Sequence, residues 1–406
     1  MRGASLAEVT RWGNRRRAVE SRRRRNARAS RRTEDGLVFE AKHTMITFLI
    51  FIAVLGVLVL VHEYGHFIMA RRSGMKVEEF GFGFPPRLFG IKKGETIYSI
   101  NLIPFGGFVK ILGEDGDSRD DPKSFGSKPL SARLTVIVAG VVMNMLFAVF
   151  LLILGNFFGL RIGLFNEEMV VSARDKKVQI IQVAANSPAE KAGLDVLDEI
   201  IGFEVSGGGV YRVYTTEDVQ KFTAEHSGQT LKMVIKDGSQ ETIEVQTRLD
   251  PPPGEGSIGI VMALTGVVSY PWYESIWRGA NDAWILTYNT VYGYVFLFKT
   301  LVTDGKLIAE VSGPVGIASV TGQAARVGFS YLMQFVALIS VNLAVLNILP
   351  FPALDGGRVA LILIEKIKKS PINKKVEAAI NGIGFALLVT LMIYVTIKDI
   401  TKFFSV

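Results

Sequence analysis

Four stretches of this chain are apolar for long enough to cross a bilayer, and polar or mixed sequence separates them. The first runs from about Ile46 to Ala70, the second from Leu134 to Phe158, the third from Tyr331 to Leu349 and the fourth from Ala378 to Ile397. Roughly twenty apolar residues suffice for a helix to span hydrocarbon, so the pattern predicts about four transmembrane helices. A fifth stretch, Pro271–Leu301, mixes Trp272, Tyr273, Trp277 and Trp284 with Glu274, Arg278, Asn281 and Asp282. Aromatic residues interleaved with polar groups favour an amphipathic helix lying at the interface over another span.

Between the first two spans the period changes. Gly81-Phe82-Gly83-Phe84, Thr96 to Ile100 and Gly106-Gly107-Phe108-Val109 alternate and are punctuated by glycine, which suggests hairpins. An edge strand here could pair with an extended substrate; the competing reading is a plain cytoplasmic hairpin loop. Residues 168–250 carry short strand patterns (Val178–Val183, Leu231–Ile235, Glu241–Val245) and helical pieces near Ala189 and Glu217. Ser187 to Leu194, followed by Asp198-Glu199-Ile200-Ile201, resembles the helix and strand of a PDZ domain. The usual Pro-Gly-Asp after the leucine is replaced by Val196-Leu197-Asp198, which weakens any inference of tight peptide binding. Pro251-Pro252-Pro253-Gly254 reads as a linker. The expected organisation is therefore a polytopic α-helical membrane protein with a membrane-associated β-hairpin region and an inserted PDZ-like α+β domain. Its divisions are 1–44, an Arg-rich disordered extension; 45–165, two spans with the hairpin region between; 166–262, the PDZ-like domain; 263–330, the interfacial segment; and 331–406, the last two spans.

Composition agrees: 49% of the 406 residues are hydrophobic, too many for an ordinary soluble protein of this size. The formal charge of +8 is misleading. Residues 1–44 hold twelve Arg and one Lys against five acids, and after them 33 basic and 33 acidic residues cancel. No nucleic-acid partner is expected of that remainder. The tail itself could bind anionic lipid or nucleic acid, could be a transit peptide, or could be an over-extended start or added leader; the last is favoured because Met45 reads as a natural start. Topology points the same way. Eleven Lys/Arg lie in 71–133 and six in 358–375, so both loops belong on the cytoplasmic side, and an Arg-rich tail would then sit on the wrong face.

The chemistry is concentrated at His62-Glu63-Tyr64-Gly65-His66, sixteen residues into the first apolar run. His-Glu-x-x-His on a helix puts both imidazoles on one face, where they can bind zinc, with the intervening Glu63 placed to take a proton from an activated water. A chance match is common in soluble sequence, but ionisable groups inside a span are costly and functional by default. A catalytic zinc takes three protein ligands. The third histidine of the metzincin pattern is replaced by Arg72, there is no cysteine, and the remaining histidines are His43 in the tail and His226 in a polar, solvated stretch. The third ligand should then be an intramembrane carboxylate. Asp355 stands at a helix break, Leu349-Pro350-Phe351-Pro352-Ala353-Leu354-Asp355-Gly356-Gly357; a helix cap is the competing role, and the metal's missing partner favours ligation.

HEYGH in a first span, NILPFPALDGG in a later one and a PDZ-like insert resemble the site-2 protease family of intramembrane zinc metalloproteases, of the bacterial regulator of sigma-E type. Gly106 to Lys110, Ala139-Gly140 with Asn144, and Ser312 to Ala318 agree, so the resemblance runs from Met45 to the C-terminus. It implies a Zn2+ endopeptidase in the cytoplasmic membrane, with the active site toward the cytoplasm and the PDZ-like domain opposite. Its partners would be lipid and single-span membrane proteins, such as anti-sigma factors or signal-peptide remnants, already cut by another protease. It also implies that Asn347 contacts the substrate backbone, an alternative being a hydrogen bond across helices. Gly81, Phe82, Gly83, Gly107 and Phe108 would clamp the substrate as an added strand. Two rivals are a scaffold displaying a PDZ domain, which has no need of Glu63, and a metal transporter, which should carry further intramembrane carboxylate clusters.

Overall fold

The computed structural model describes residues 45–114, 120–205, 208–237, 239–304, 313–370 and 372–404. The Arg-rich extension, 1–44, and with it His43, lies outside them. The four apolar runs are helices: α1 (Met45–Arg72), α2 (Leu130–Phe158), α8 (Phe329–Ile348) and the greater part of α10 (Lys374–Phe404). Each is long and apolar enough to cross a membrane. Glycine ends the first two: Gly74 follows α1 with φ +68° and Gly159 closes α2 with φ +119°, conformations that side chains resist.

The region between α1 and α2 is one long antiparallel hairpin, β1 (Val77–Lys93) and β2 (Thr96–Ile111), curled until it pairs with itself twice. Gly81 pairs with Phe108 on one side and with Ser99 on the other, while Phe89 and Gly90 pair with Ile100 and Ser99. The spatial order is thus 107–111, 77–84, 96–103, 87–93. Glycine permits the tightness: a Cβ on Gly81 would stand 2.5 Å from the Phe108 ring. Leu88, Phe89, Ile91, Ile100 and Leu102 remain exposed on the outer half, an apolar surface suited to lipid contact.

The second sheet has the order β3-β9-β4-β5-β7-β8, with β6 on β5. Its strands are β3 (Leu160–Gly163), β4 (Arg174–Val183), β5 (Glu199–Val205), β6 (Gly209–Arg212), β7 (Thr230–Asp237), β8 (Ser239–Gln246) and β9 (Ile260–Val268). The helices around it are α3 (Glu167–Ser172), α4 (Pro188–Ala192) and α5 (Thr216–Glu225). Alternating apolar positions of β4, β5 and β7 form its core with Val219 and Phe222 of α5. Thr215 and Asp218 close a reciprocal capping box at the start of α5, and the Tyr214 and Thr215 N–H groups hold the Asp218 carboxyl below the ordinary range.

Two local details are added. Pro251 to Gly254 connects two strands of one sheet, β8 before it and β9, which pairs between β3 and β4, after it. His226 is half-buried rather than solvated: its ring stacks on Phe222 at 4.4 Å, with Nδ1 2.8 Å from the Phe222 carbonyl oxygen.

The sheet is fastened to the membrane half. β3 continues directly from α2, and Tyr331 and Thr265 hydroxyls both donate to Gln179 Oε1, the latter at 2.6 Å. The Arg161 N–H donates to Ser330 Oγ at 3.1 Å and Gln334 Nε2 donates to the Arg161 carbonyl at 3.2 Å. The beginning of α8 is thereby bound to β3 and β4.

The remaining helices are α6 (Trp272–Asp304), α7 (Pro314–Val327) and α9 (Asp355–Lys368). Residues 272–300 form one continuous helix of the expected aromatic character, and it packs with Ala283, Leu286 and Tyr294 against α2 and α8. α8 is antiparallel to α2: Met333 meets the level of Gly155, and Ser340 Oγ donates to the Asn144 carbonyl at 2.7 Å.

Candidate metal centre

α1 carries His62 and His66 on its face toward α2, and close helix approach makes that face usable. A Cβ at Gly65 would lie 2.4 Å from the Ala139 carbonyl oxygen, and one at Gly140 would lie 2.4 Å from His66 Nε2. Any larger residue at either glycine would push the helices apart. Val136, Gly140 and Asn144 recur at four-residue spacing, so one stripe of α2 faces both imidazoles.

The third group arrives from far along the chain. After α8 the backbone doubles back: Phe351 N–H donates to the Leu349 carbonyl at 2.7 Å, and Ala353 takes φ +73°. Gly356 and Gly357 then fit against the Leu349 and Phe351 carbonyls, where a Cβ would come within 2.2 Å. Asp355 becomes the first residue of α9. Asn381 of α10 accepts from the Ala353 N–H at 3.3 Å and steadies the turn.

Asp355 Oδ2 lies 3.0 Å from His62 Nε2 and 3.4 Å from His66 Nε2, and the two Nε2 atoms are 3.2 Å apart. Both histidines are buried. His66 Nδ1 stands 2.8 Å from the Val136 carbonyl oxygen, which can only accept, so the proton sits on Nδ1 and Nε2 presents a lone pair. Asp355 Oδ2 is buried without a hydrogen-bond donor among the described residues. Three potential ligand atoms, one from each residue, thus converge on one place. Burying such a set is expensive without a cation. Ligands 2.0–2.1 Å from a tetrahedral zinc sit about 3.3 Å from one another, which matches the three separations. The donor set fits zinc.

Glu63 is placed differently. Its Oε2 accepts the Val109 N–H at 3.1 Å, and a Cβ on Gly107 would touch its Cγ at 3.7 Å. Segment 107–111 is therefore the strand of the curled sheet that borders the centre. Gly81 and Phe82 are paired on both sides and have no free edge to offer. Gly83 is held near the Asn101 and Ile103 carbonyls, and Phe82 packs on Gly56 of α1. Asn347 Nδ2 is 3.5 Å from His62 Nε2, at the rim of the cluster. Asn144 is fully buried, its Nδ2 3.4 Å from His62 Nδ1 and its Oδ1 without a partner among the described residues. The sequence flagged Asn144 only as part of a resemblance, and gave no sign of the Val136 carbonyl or the Val109 N–H, since backbone groups carry no residue signature.

The model of peptidase family M50 matches residues 50–391. The chain belongs to peptidase family M50. A Clostridium perfringens protein named "Putative zinc metalloprotease" is 38% identical over 344 residues, 84% of this chain and 95% of the relative. Zinc metalloprotease RasP of Geobacillus kaustophilus is 30% identical over 440 aligned positions, covering 89% of this chain and 99% of RasP. RasP of Shouchella clausii is 30% identical, with 89% and 100% covered. This M50 member is a zinc metalloprotease of the membrane, and the His62–His66–Asp355 cluster could form its metal site.

Proposed function

We propose that this M50 protease cuts single-span membrane proteins inside the bilayer, with His62, His66 and Asp355 as zinc ligands and Glu63 as general base. The observation that carries the reading is the convergence of three buried ligand atoms beside the Glu63 carboxylate, at the end of a span. Zinc bound there supplies a Lewis acid for the scissile carbonyl and a lowered pKa for water. Glu63 takes the proton of the attacking water and returns it to the leaving amine. The Val109 N–H holds Oε2, which leaves Oε1 for that transfer. The Asn347 amide, on the rim, donates to the substrate backbone.

A substrate helix must be unwound first, because its peptide groups are shielded. Residues 107–109 provide an edge for it, with Gly107 and Phe108 as its contacts; Gly81, Phe82 and Gly83 back that strand from inside the sheet. The extramembrane sheet with α5 is read as a PDZ-like domain that admits substrates already trimmed by another protease, of the anti-sigma-factor or signal-peptide-remnant kind. The basic loops 71–133 and 358–375 support a cytoplasmic metal end and a PDZ-like domain on the far side of the inner membrane.

The test is Glu63→Gln in the full chain with a truncated single-span reporter. Zinc content should be unchanged, while cleavage falls by about 10²–10⁴-fold, the range of a lost general base. Cleavage at the wild-type rate would overturn the assignment.

A further inference from the structure

We propose that α6 is a fifth membrane-embedded helix, whose outward face contacts acyl chains, rather than a helix lying flat on the interface. Its course decides this. Gly279 crosses α2 so closely that a Cβ would stand 2.6 Å from the Ile153 backbone nitrogen. Further on, Ala283 is buried among Ala148 and Leu152 of α2 and Ala337 and Val341 of α8. Thr287 Oγ1 then lies 3.5 Å from Met145 Sδ, and Tyr294 donates to Asn342 Oδ1 at 2.9 Å. Along α6 the contacts descend α2 toward its start and α8 toward its end. A helix flat on the membrane would cross these spans at one level; α6 accompanies them. Asn342 is five residues before Asn347, so Tyr294 lies within about 8 Å, along the helix axis, of the depth of the metal cluster.

The side chains agree with that depth. Residues 283–298 are sixteen in a row without a charge, about 24 Å of helix. Trp284, Tyr288, Val291, Val295 and Phe298 point outward and are exposed, while Glu274, Arg278, Asp282, Thr287 and Tyr294 are paired within the protein. Asp282 accepts from Asn156 Nδ2 at 2.8 Å, Arg278 pairs with Glu274 at 2.7 Å, and Tyr294 is bonded as above. Tyrosines and Asn289 lower the mean hydropathy of the stretch, yet the apolar bodies of the tyrosines suit lipid and the paired groups add little cost. Trp272, Tyr273 and Trp277 at the start form an interfacial belt. The Gly316 N–H of α7 donates to Asp399 at 2.9 Å, and Asp399 is eighteen residues, about 27 Å, along α10 from Asn381 beside the metal-bearing turn. α6 therefore enters from the side of the extramembrane sheet, and α7 lies on that same side.

The chain has no cysteine, so single-cysteine variants report one position each. Full-length Tyr288→Cys, Val291→Cys and Val295→Cys, in membrane vesicles opened to both sides, are treated with a membrane-impermeant maleimide. Val210→Cys in the extramembrane sheet serves as the exposed control. Labelling at the three α6 positions should be slower by about tenfold or more, since thiols in a dry bilayer core meet neither water nor reagent, and should equal the control after denaturation in detergent. Labelling at the rate of Val210→Cys would overturn the proposal. As a check that requires no cysteine, lipid brominated along its chains should quench Trp284 in the otherwise unaltered protein. The quenched component should vanish in Trp284→Phe; a quenched component unchanged in Trp284→Phe would count against embedding.

Discussion

The metal cluster and the joint between the extramembrane sheet and α8 are both built from buried polar groups, and they handle them in opposite ways. At the joint every acceptor has a donor: Gln179 Oε1 receives Tyr331 and Thr265, and Gln179 Nε2 donates to the Leu197 carbonyl at 3.0 Å. At the cluster Asp355 Oδ2 and Asn144 Oδ1 are buried with no donor among the described residues. A satisfied network rigidifies; a buried carboxylate oxygen left without a donor in low dielectric is a cost that a cation offsets. The difference separates a structural polar site from one shaped for a cation.

The largest way to break that contrast is to remove one acceptor from the cluster. Asp355→Asn takes away the carboxylate charge and leaves two imidazoles. Zinc affinity, measured by chelator competition on the purified full chain, should fall by more than the roughly 10–100-fold typical of an outer-shell change. Unchanged occupancy would remove Asp355 from the ligand set.

Asn144 is expected to give that smaller, outer-shell effect. If His62 offers Nε2 to the metal, its Nδ1 must carry the proton and needs an acceptor. Turning the Asn144 amide by 180° brings Oδ1 to Nδ1–H and gives that oxygen a donor. Val136 serves His66 in the corresponding way through its carbonyl. Asn144→Leu should therefore weaken zinc binding by about 10–100-fold, while Asn144→Asp, which keeps an acceptor, should retain most of it. Equal affinity in Asn144→Leu would show that His62 is oriented by packing alone.

Much of this was legible in the chain itself, for identifiable reasons. Hydropathy over twenty residues marks α1, α2, α8 and α10 because hydrocarbon tolerates little else. His62, Glu63, His66 and Asp355 stand out because ionisable groups are rare in such runs. What the sequence could not show depends on three-dimensional pairing. The curl that puts Gly81 inside the sheet and 107–111 at its edge is a matter of register, and both segments are equally glycine-rich and aromatic. β3, only four residues long and following directly on α2, gives too short a signal to be assigned to the extramembrane sheet. Asp282 gives Pro271–Leu301 its interfacial pattern, and nothing in the chain tells that Asn156 donates to it.

The smallest effect should come from the satisfied side of the comparison. Tyr331→Phe deletes one donor to Gln179 but leaves Thr265 in place, so no buried acceptor is orphaned. A hydrogen bond lost in this way costs about 1 kcal/mol, enough to raise local opening of β4 roughly fivefold. Hydrogen exchange along Arg174–Val183 in the full chain would read that change. Zinc affinity should stay at the wild-type value, because Tyr331 belongs to the outer end of α8 and the cluster to its inner end. If Tyr331→Phe weakened zinc binding as far as Asn144→Leu does, the two polar sites would be one coupled system, with α8 transmitting the state of the extramembrane sheet to Asn347 and the turn that carries Asp355.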